Sequence, residues 1–168
     1  MLRELNAVPL FVTLHNVFSQ TDVRNFTSTA LALGCKTVVI SRAHGAAAMS
    51  GVPEAQKIAL KADSSLLFFR DLPDALEILT PDFTYLVLSD RFASQQLDFT
   101  MVSEQIHEKK VMIVFGGSSP GLTRKELDLG QSVYIRQTNT LLNAVAELAI
   151  ALDRLDITKK SRESPSSE

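Results

Sequence analysis

Short apolar runs alternate along the chain with longer stretches in which apolar residues recur every third or fourth position. The runs predict strands over Leu10–Leu14, Thr37–Ser41, Leu66–Phe69, Tyr85–Leu88, Val111–Phe115 and Val133–Ile135. They are rich in Val, Ile, Leu and Phe with little polar alternation, the pattern of strands covered on both faces. Thr21–Leu33 predicts a helix with Val23, Phe26, Ala30 and Leu33 on one face, Ser19 and Asp22 forming a box-like start and Gly34 the stop. Pro53 and Pro73 stand where first helical residues would, with Asp71 as a cap before Pro73 and Pro81 beyond that helix. Residues 95–109 predict a weaker helix. Thr140–Leu155 predicts the clearest one, with Leu141, Leu142, Val145, Leu148, Ala149 and Leu152 as its stripe.

This alternation predicts an α/β fold, a mostly parallel sheet with helices on both faces. Ligands bind such sheets beyond the carboxyl ends of the strands. The loops after Leu14, Ser41, Phe69, Leu88, Phe115 and Ile135 are therefore the candidate site.

A length of 168 residues suits one domain, expected over residues 1–156 without an appended RNA-binding domain. The polar stretch 157–168, with Lys159, Lys160, Arg162 and Pro165, is expected to be a disordered tail. A hydrophobic fraction of 45% with 21% charged residues excludes disorder or a collagen-like repeat as a description of the whole. No apolar run approaches the roughly 20 residues of a membrane span, and the first residues lack a signal-peptide pattern. The expectation is a cytoplasmic protein without membrane contact. The single cysteine, Cys35, excludes an internal disulfide and reads as a small buried residue. His15, His44 and His107 have no metal-site spacing, so no metal is expected. The net charge of −2 repels nucleic acid weakly, so any such contact needs a local basic patch. Arg70, Arg91, Arg124 and Arg136, following strand ends or the glycine-rich loop, are candidates for it.

The most informative stretch is Val111–Leu127, where a strand runs into Gly116-Gly117-Ser118-Ser119-Pro120-Gly121. Glycines there permit close backbone approach to a ligand and positive φ. One reading is a phosphate-binding loop: Gly116 and Gly121 have the right spacing and Thr123 the right place, but Leu122 occupies the position of the phosphate-binding lysine. A second reading comes from resemblance. Val114-Phe115-Gly116 through Pro120-Gly121-Leu122-Thr123 to Glu126-Leu127 resembles the second motif of the SpoU branch of SPOUT RNA methyltransferases. Ile135, Leu142-Asn143, Val145-Ala146 and Ile150-Ala151-Leu152 follow in the order of that family's third motif.

The resemblance implies a C-terminal deep trefoil knot that holds S-adenosylmethionine on three loops, Leu88–Arg91, Gly116–Leu122 and Ile135–Leu142. The cofactor-binding residues it implies are Leu88, Ser89, Phe115, Gly116, Gly117, Ser118, Pro120, Gly121, Leu122, Ile135, Arg136, Gln137 and Leu142, with Asn143 beside the active site. It also implies a homodimer packed on the last helix and an RNA substrate, tRNA or rRNA. The chain departs from the family pattern at several places. The family's catalytic arginine falls on Ser28, and Arg24, four residues earlier on the same helix face, is the candidate replacement. Ser118 replaces a common acidic residue, and Arg136 stands where proline is usual. A non-catalytic RNA- or cofactor-binding protein of the same fold is the rival reading. On the ligand edge, His15, Asn16, Arg42 and His44 are the candidate substrate contacts, and the Gly- and Ala-dense segment 45–51 is expected to be a mobile loop for substrate entry.

Overall fold

The computed structural model describes residues 8–155 and residue 157. Lys159, Lys160, Arg162 and the expected disordered tail over 158–168 lie outside them. Six strands form one parallel sheet: β1 (Leu10–Val17), β2 (Thr37–Ala43), β3 (Ser65–Phe69), β4 (Phe83–Val87), β5 (Val111–Gly116) and β6 (Gln131–Val133). Their spatial order is β3-β2-β1-β5-β4-β6. The helices are α1 (Gln20–Ala32), α2 (Val52–Lys61), α3 (Leu72–Leu79), α4 (Phe99–Glu108) and α5 (Ala144–Leu155). The expected α/β class with a parallel sheet and helices on both faces is what the chain forms.

Alternation along β1 divides the core. Val12 and Leu14 join Val23, Phe26 and Ala30 of α1, Ala55 and Ala59 of α2, Val102 and Ile106 of α4, and Leu148 and Leu152 of α5. Phe11 joins Leu72 and Ala75 of α3, with Val39, Val114 and Leu122. The central strands read as near-continuous apolar runs because both faces are covered. The helix signals are physical caps. Ser19 accepts a hydrogen bond from Asp22 N at 3.1 Å, Asp71 accepts from Leu72 N at 2.7 Å, and Gly34 takes φ +96° after α1. No helix among the described residues is long and apolar enough to cross a membrane.

Several boundaries differ from expectation. α5 starts at Ala144 rather than Thr140, because Asn143 Oδ1 accepts from Ala146 N at 2.9 Å and caps the helix there. Leu141 is therefore not part of its stripe and is 64% exposed. β6 covers Gln131–Val133 instead of Val133–Ile135. Tyr134 bonds beyond it to the segment before α4, through Leu97 N to Tyr134 O and Tyr134 N to Gln95 O, each 2.9 Å. Segment 45–51 is not an open loop. Ala47–Gly51 is a π-helical turn running into α2, with Ala47 and Gly51 buried. A Cβ on Gly51 would lie 3.1 Å from Val23 Cβ, so glycine here lets the turn pack on α1.

Candidate functional site

Strand order reverses between β1 and β5: the chain runs from β1 outward to β2 and β3, and its second half lies on the other side. Ligands bind α/β sheets at such a switch point. The loop leaving β5 sits there. Gly117 N donates to His15 O at 2.8 Å, fastening the loop to β1. The loop closes on itself: a Cβ on Gly116 would lie 2.6 Å from Gly121 Cα, and one on Gly121 would lie 2.5 Å from Gly116 Cα. Glycine is required at both ends because the two backbones touch. Neither adopts positive φ, which the described glycines do only at Gly34 and Gly45, so the expected left-handed geometry is absent. The Ser119–Pro120 peptide is cis. Asn16, in the left-handed region at φ +58°, donates from Nδ2 to Pro120 O at 3.2 Å.

The phosphate-loop reading fails on this geometry. Leu122 is buried in the core on the α3 side, and the loop is followed by only a three-residue 3₁₀ turn, Leu127–Leu129. A phosphate loop needs a lysine and a helix N-terminus aimed at the anion.

Between the loop, β4, β6 and α5 lies a cavity of about 690 Å³. Leu88, Ser89, Gly116, Gly117, Ser118, Pro120, Gly121, Leu122, Arg136, Leu142 and Asn143 line it, joined by Asp22, Phe92, Arg124, Leu141 and Glu147. Its residues come from 14 to 147 in sequence, with Leu14 of β1 among them. Phe115 and Ile135 do not line it; their side chains are core, with Phe115 packed edge-on to Phe26 at 5.7 Å. Gln137 borders a separate depression with Asp90 and Asn139. Arg24 is also elsewhere: it is exposed on α1, 3.7 Å from Glu54 of α2, so the expected stand-in for the family arginine does not reach the cavity. Ser28 is likewise exposed on α1. Asp22 is the residue that the first turn of α1 places at the cavity.

On the other face of the sheet a buried polar cluster ties the loop to β2 and β3. His15 is fully buried; its Nε2 donates to Glu126 Oε1 at 2.9 Å and its Nδ1 is 2.8 Å from Ser41 Oγ. A carboxylate only accepts, so Nε2 carries the hydrogen and Nδ1 accepts from Ser41. Arg42 Nη1 reaches Glu126 Oε1 at 2.5 Å and its Nη2 reaches Asp71 Oδ1 at 2.7 Å. Glu126 Oε2 accepts from Thr123 N at 2.6 Å. Arg42 sits at φ +48°, a strained conformation that this double pairing maintains. Burial holds the His15 pKa below its usual value against the pull of Glu126. Burial would raise Glu126 and Asp71, but hydrogen bonds and the Arg42 charge outweigh it and lower both.

His15 and Arg42 are therefore not free substrate contacts: one is sealed in the core, and the other is engaged by two carboxylates. His44 is partly exposed and stacks on Phe18 with centroids 4.4 Å apart, and its Nε2 lies 3.1 Å from Asn16 Oδ1. Of the candidate basic patch, Arg124 and Arg136 reach the cavity, and Arg91 Nη2 donates to Asn139 O. Sequence reasoning did not single out Ser41, Asp71 and Glu126 as site residues. Glu126 appeared only as a motif position and Asp71 only as a cap, since their partner, Arg42, lies 29 residues from Asp71 and 84 from Glu126. Cys35 is buried and its thiol is pushed up to about 12, as an inert core residue requires.

Residues 45–154 match the family model described as "RecB-family nuclease (DUF2122)". The chain belongs to this family. Two curated relatives are "Putative type II restriction enzyme MjaORF1200P" of Methanocaldococcus jannaschii and "Putative type II restriction enzyme ApeKORF2002P" of Aeropyrum pernix. The first is 34% identical over 143 residues, 85% of this chain and 93% of the relative. The second is 34% identical over 145 residues, 86% and 91%. Solved structures of similar fold carry different names. A "putative methylase family protein" from Neisseria gonorrhoeae matches with TM-score 0.72 and 16% identity, covering 97% of this chain and 87% of that one. The SpoU methyltransferase AviRb from Streptomyces viridochromogenes matches at 0.67 and 14%, over 96% and 64%. An AdoMet-bound rRNA methyltransferase from Sinorhizobium meliloti matches at 0.61 and 13%, over 88% and 55%. The family thus carries a nuclease description, while the fold of this chain is that of solved structures named as methyltransferases.

Proposed function

We propose that this chain is an S-adenosylmethionine-dependent RNA methyltransferase of the SpoU type, acting on tRNA or rRNA as a cytoplasmic homodimer. The carrying observation is the cavity at the β1–β5 switch point. Its volume suits a nucleoside-sized ligand. Its wall is mostly apolar, with a loop whose paired glycines let backbone approach the occupant, and it contains both carboxylates and guanidinium groups for a zwitterion. Loops after β4, β5 and β6 all contribute, as in the reading in which a trefoil knot forms the cofactor site. Gly116–Leu122, Leu88, Ser89 and Leu142 would hold the cofactor, which supplies an activated methyl group when bound. The chain's own part is to position the acceptor and receive its proton. Asn143 caps α5 at the cavity, which supports a role for it in orienting either ligand. The dimer contact is assigned to α5, where Ala146 and Ala149 leave a narrow, partly exposed face.

The family description favours a second reading, a nuclease, and one feature would suit a metal-dependent one: ligand atoms of His15, Asp71 and Glu126 lie within 4.8 Å of one another. The opposing observation is Arg42, whose guanidinium already bridges Asp71 and Glu126 and would repel a divalent ion.

Calorimetry with S-adenosylhomocysteine and ATP, beside cleavage of plasmid DNA in magnesium, separates the readings. The expected result is binding of S-adenosylhomocysteine, none of ATP, and no cleavage. Cleavage abolished by Glu126→Gln, without cofactor binding, would establish the nuclease. Binding without turnover on any RNA pool would establish the non-catalytic rival. Light scattering at the monomer mass at micromolar concentration would remove the dimer.

A further inference from the structure

The proposed donor carries a sulfonium, and one cavity residue is suited to it. Glu147 stands in the first turn of α5 and lines the cavity. Burial alone perturbs its carboxyl, pushing the pKa up to about 7, with neither a neighbouring charge nor a hydrogen bond to compensate. The charged groups around the cavity are Asp22 from α1 and, from the loops after β5 and β6, the exposed Arg124 and Arg136. α4 meets the far end of α5, where Ser103 Oγ donates to Leu155 O and Arg154 lies over the Phe99 ring, and its Val102 and Ile106 share the apolar core with Leu148. The core packed beneath α5 from β5 is apolar.

Resting on the cofactor reading above, we propose that Glu147 is a specificity-determining residue: its carboxylate faces the sulfonium of the methyl donor and makes the cavity prefer that donor to its neutral thioether product. A sulfonium has no hydrogen to donate, so only an opposite charge or a dipole can recognise it. It is weakly hydrated, so it suits a carboxyl that burial has partly shielded from water. An ammonium has three donors and is strongly hydrated. The donor's amino-acid end therefore belongs at the rim, where Arg124 and Arg136 face solvent and can meet its carboxylate. Preference for donor over product has a functional use, since the two differ by one methyl and one charge and the product must leave.

The test is proton linkage. Calorimetry of the full chain is run with S-adenosylmethionine and with S-adenosylhomocysteine, each in two buffers of different ionisation enthalpy. With a carboxyl near pKa 7 in the free protein, entry of the cation at pH 7 releases about half a proton. At pH 8.5 the release falls close to zero. S-adenosylhomocysteine, which carries the same amino-acid end, releases none at either pH. In Glu147→Gln the release disappears, S-adenosylhomocysteine affinity stays within about threefold, and donor preference falls roughly tenfold, the effect of losing a partly screened charge pair.

Equal release with both ligands would assign Glu147 to the shared amino group and overturn the proposal, as would no release with either. Unchanged donor preference in a folded Glu147→Gln would overturn it too. The wild-type comparison stands without the variant. Failure of both ligands to bind would instead sink the cofactor reading itself.

Discussion

Replacing Glu126 by Gln removes one charge and almost no volume, and so tests whether the buried cluster holds the glycine loop. Glu126 is 4% exposed, and its two oxygens have separate duties. Oε2 accepts from Thr123 N, while Oε1 accepts from His15 Nε2 and Arg42 Nη1. An amide has a single oxygen. Whichever way it turns, its NH₂ faces a donor, leaving either the loop backbone or the His15–Arg42 pair unanswered. Breaking a buried ion pair from one side costs about 3–5 kcal/mol. Arg42 keeps Asp71 and its side chain is 27% exposed, which puts the expectation at the low end, about 3 kcal/mol. For a chain of this size that lowers Tm by roughly 6–12 °C. Thermal unfolding followed by circular dichroism at pH 7.5 measures it, and S-adenosylhomocysteine calorimetry below the transition reads the loop. Affinity is expected to fall about tenfold or more, because Thr123 follows directly on the cavity residues Gly121 and Leu122. A Tm change under about 2 °C with unchanged affinity would refute the clamp. Asp71→Asn, at a half-exposed partner, is expected to cost less, about 1 kcal/mol.

Other outcomes follow from the same geometry. Gly121→Val is expected to abolish S-adenosylhomocysteine binding, and Gly121→Ala to weaken it strongly, because any Cβ would lie 2.5 Å from Gly116 Cα; normal calorimetric affinity in the alanine variant would remove the ring-closure account. Arg24→Ala is expected to leave binding and RNA methylation within about twofold and stability within about 0.5 kcal/mol, since Arg24 is exposed with Glu54; a hundredfold loss of transfer would return it to the active site. Stability is expected to fall in two stages on acidification. His15 has a lowered folded pKa, so its contribution is complete above about 6.5 and declines as pH falls below that. Glu126 and Asp71, also lowered, lose theirs as pH falls below about 4.5. Urea titrations at pH 7.5, 5.5 and 4 measure this, and His15→Gln is expected to erase the upper stage.

The class of this fold was legible because its signals are local. Runs such as Val111–Phe115 can be strands only if both faces are covered, and Ser19, Gly34 and Asp71 act within a few residues of themselves. The glycine loop and Leu142–Asn143 were legible as a candidate site for the same reason, being short stretches whose composition is costly without a ligand or a tight contact, and the structure brings them to one cavity. Which strands neighbour one another was not local. The switch between β1 and β5 brings Gly117 to His15, and alternation along β1 alone decides that His15 turns to the α3 side while Leu14 turns to the cavity. His15 and Arg42 had the chemistry of substrate contacts in the sequence. Tertiary structure supplied Ser41, Asp71 and Glu126 as their partners, and a buried charge goes where its counter-charge is. Arg24 failed as a replacement for a related reason: spacing fixed its face of α1, but only the packing of α2 decided that this face meets Glu54 and that Asp22, two residues earlier, meets the cavity. Glu147 carried no signal at all among the apolar residues of α5, because only the folded chain places it at the cavity wall.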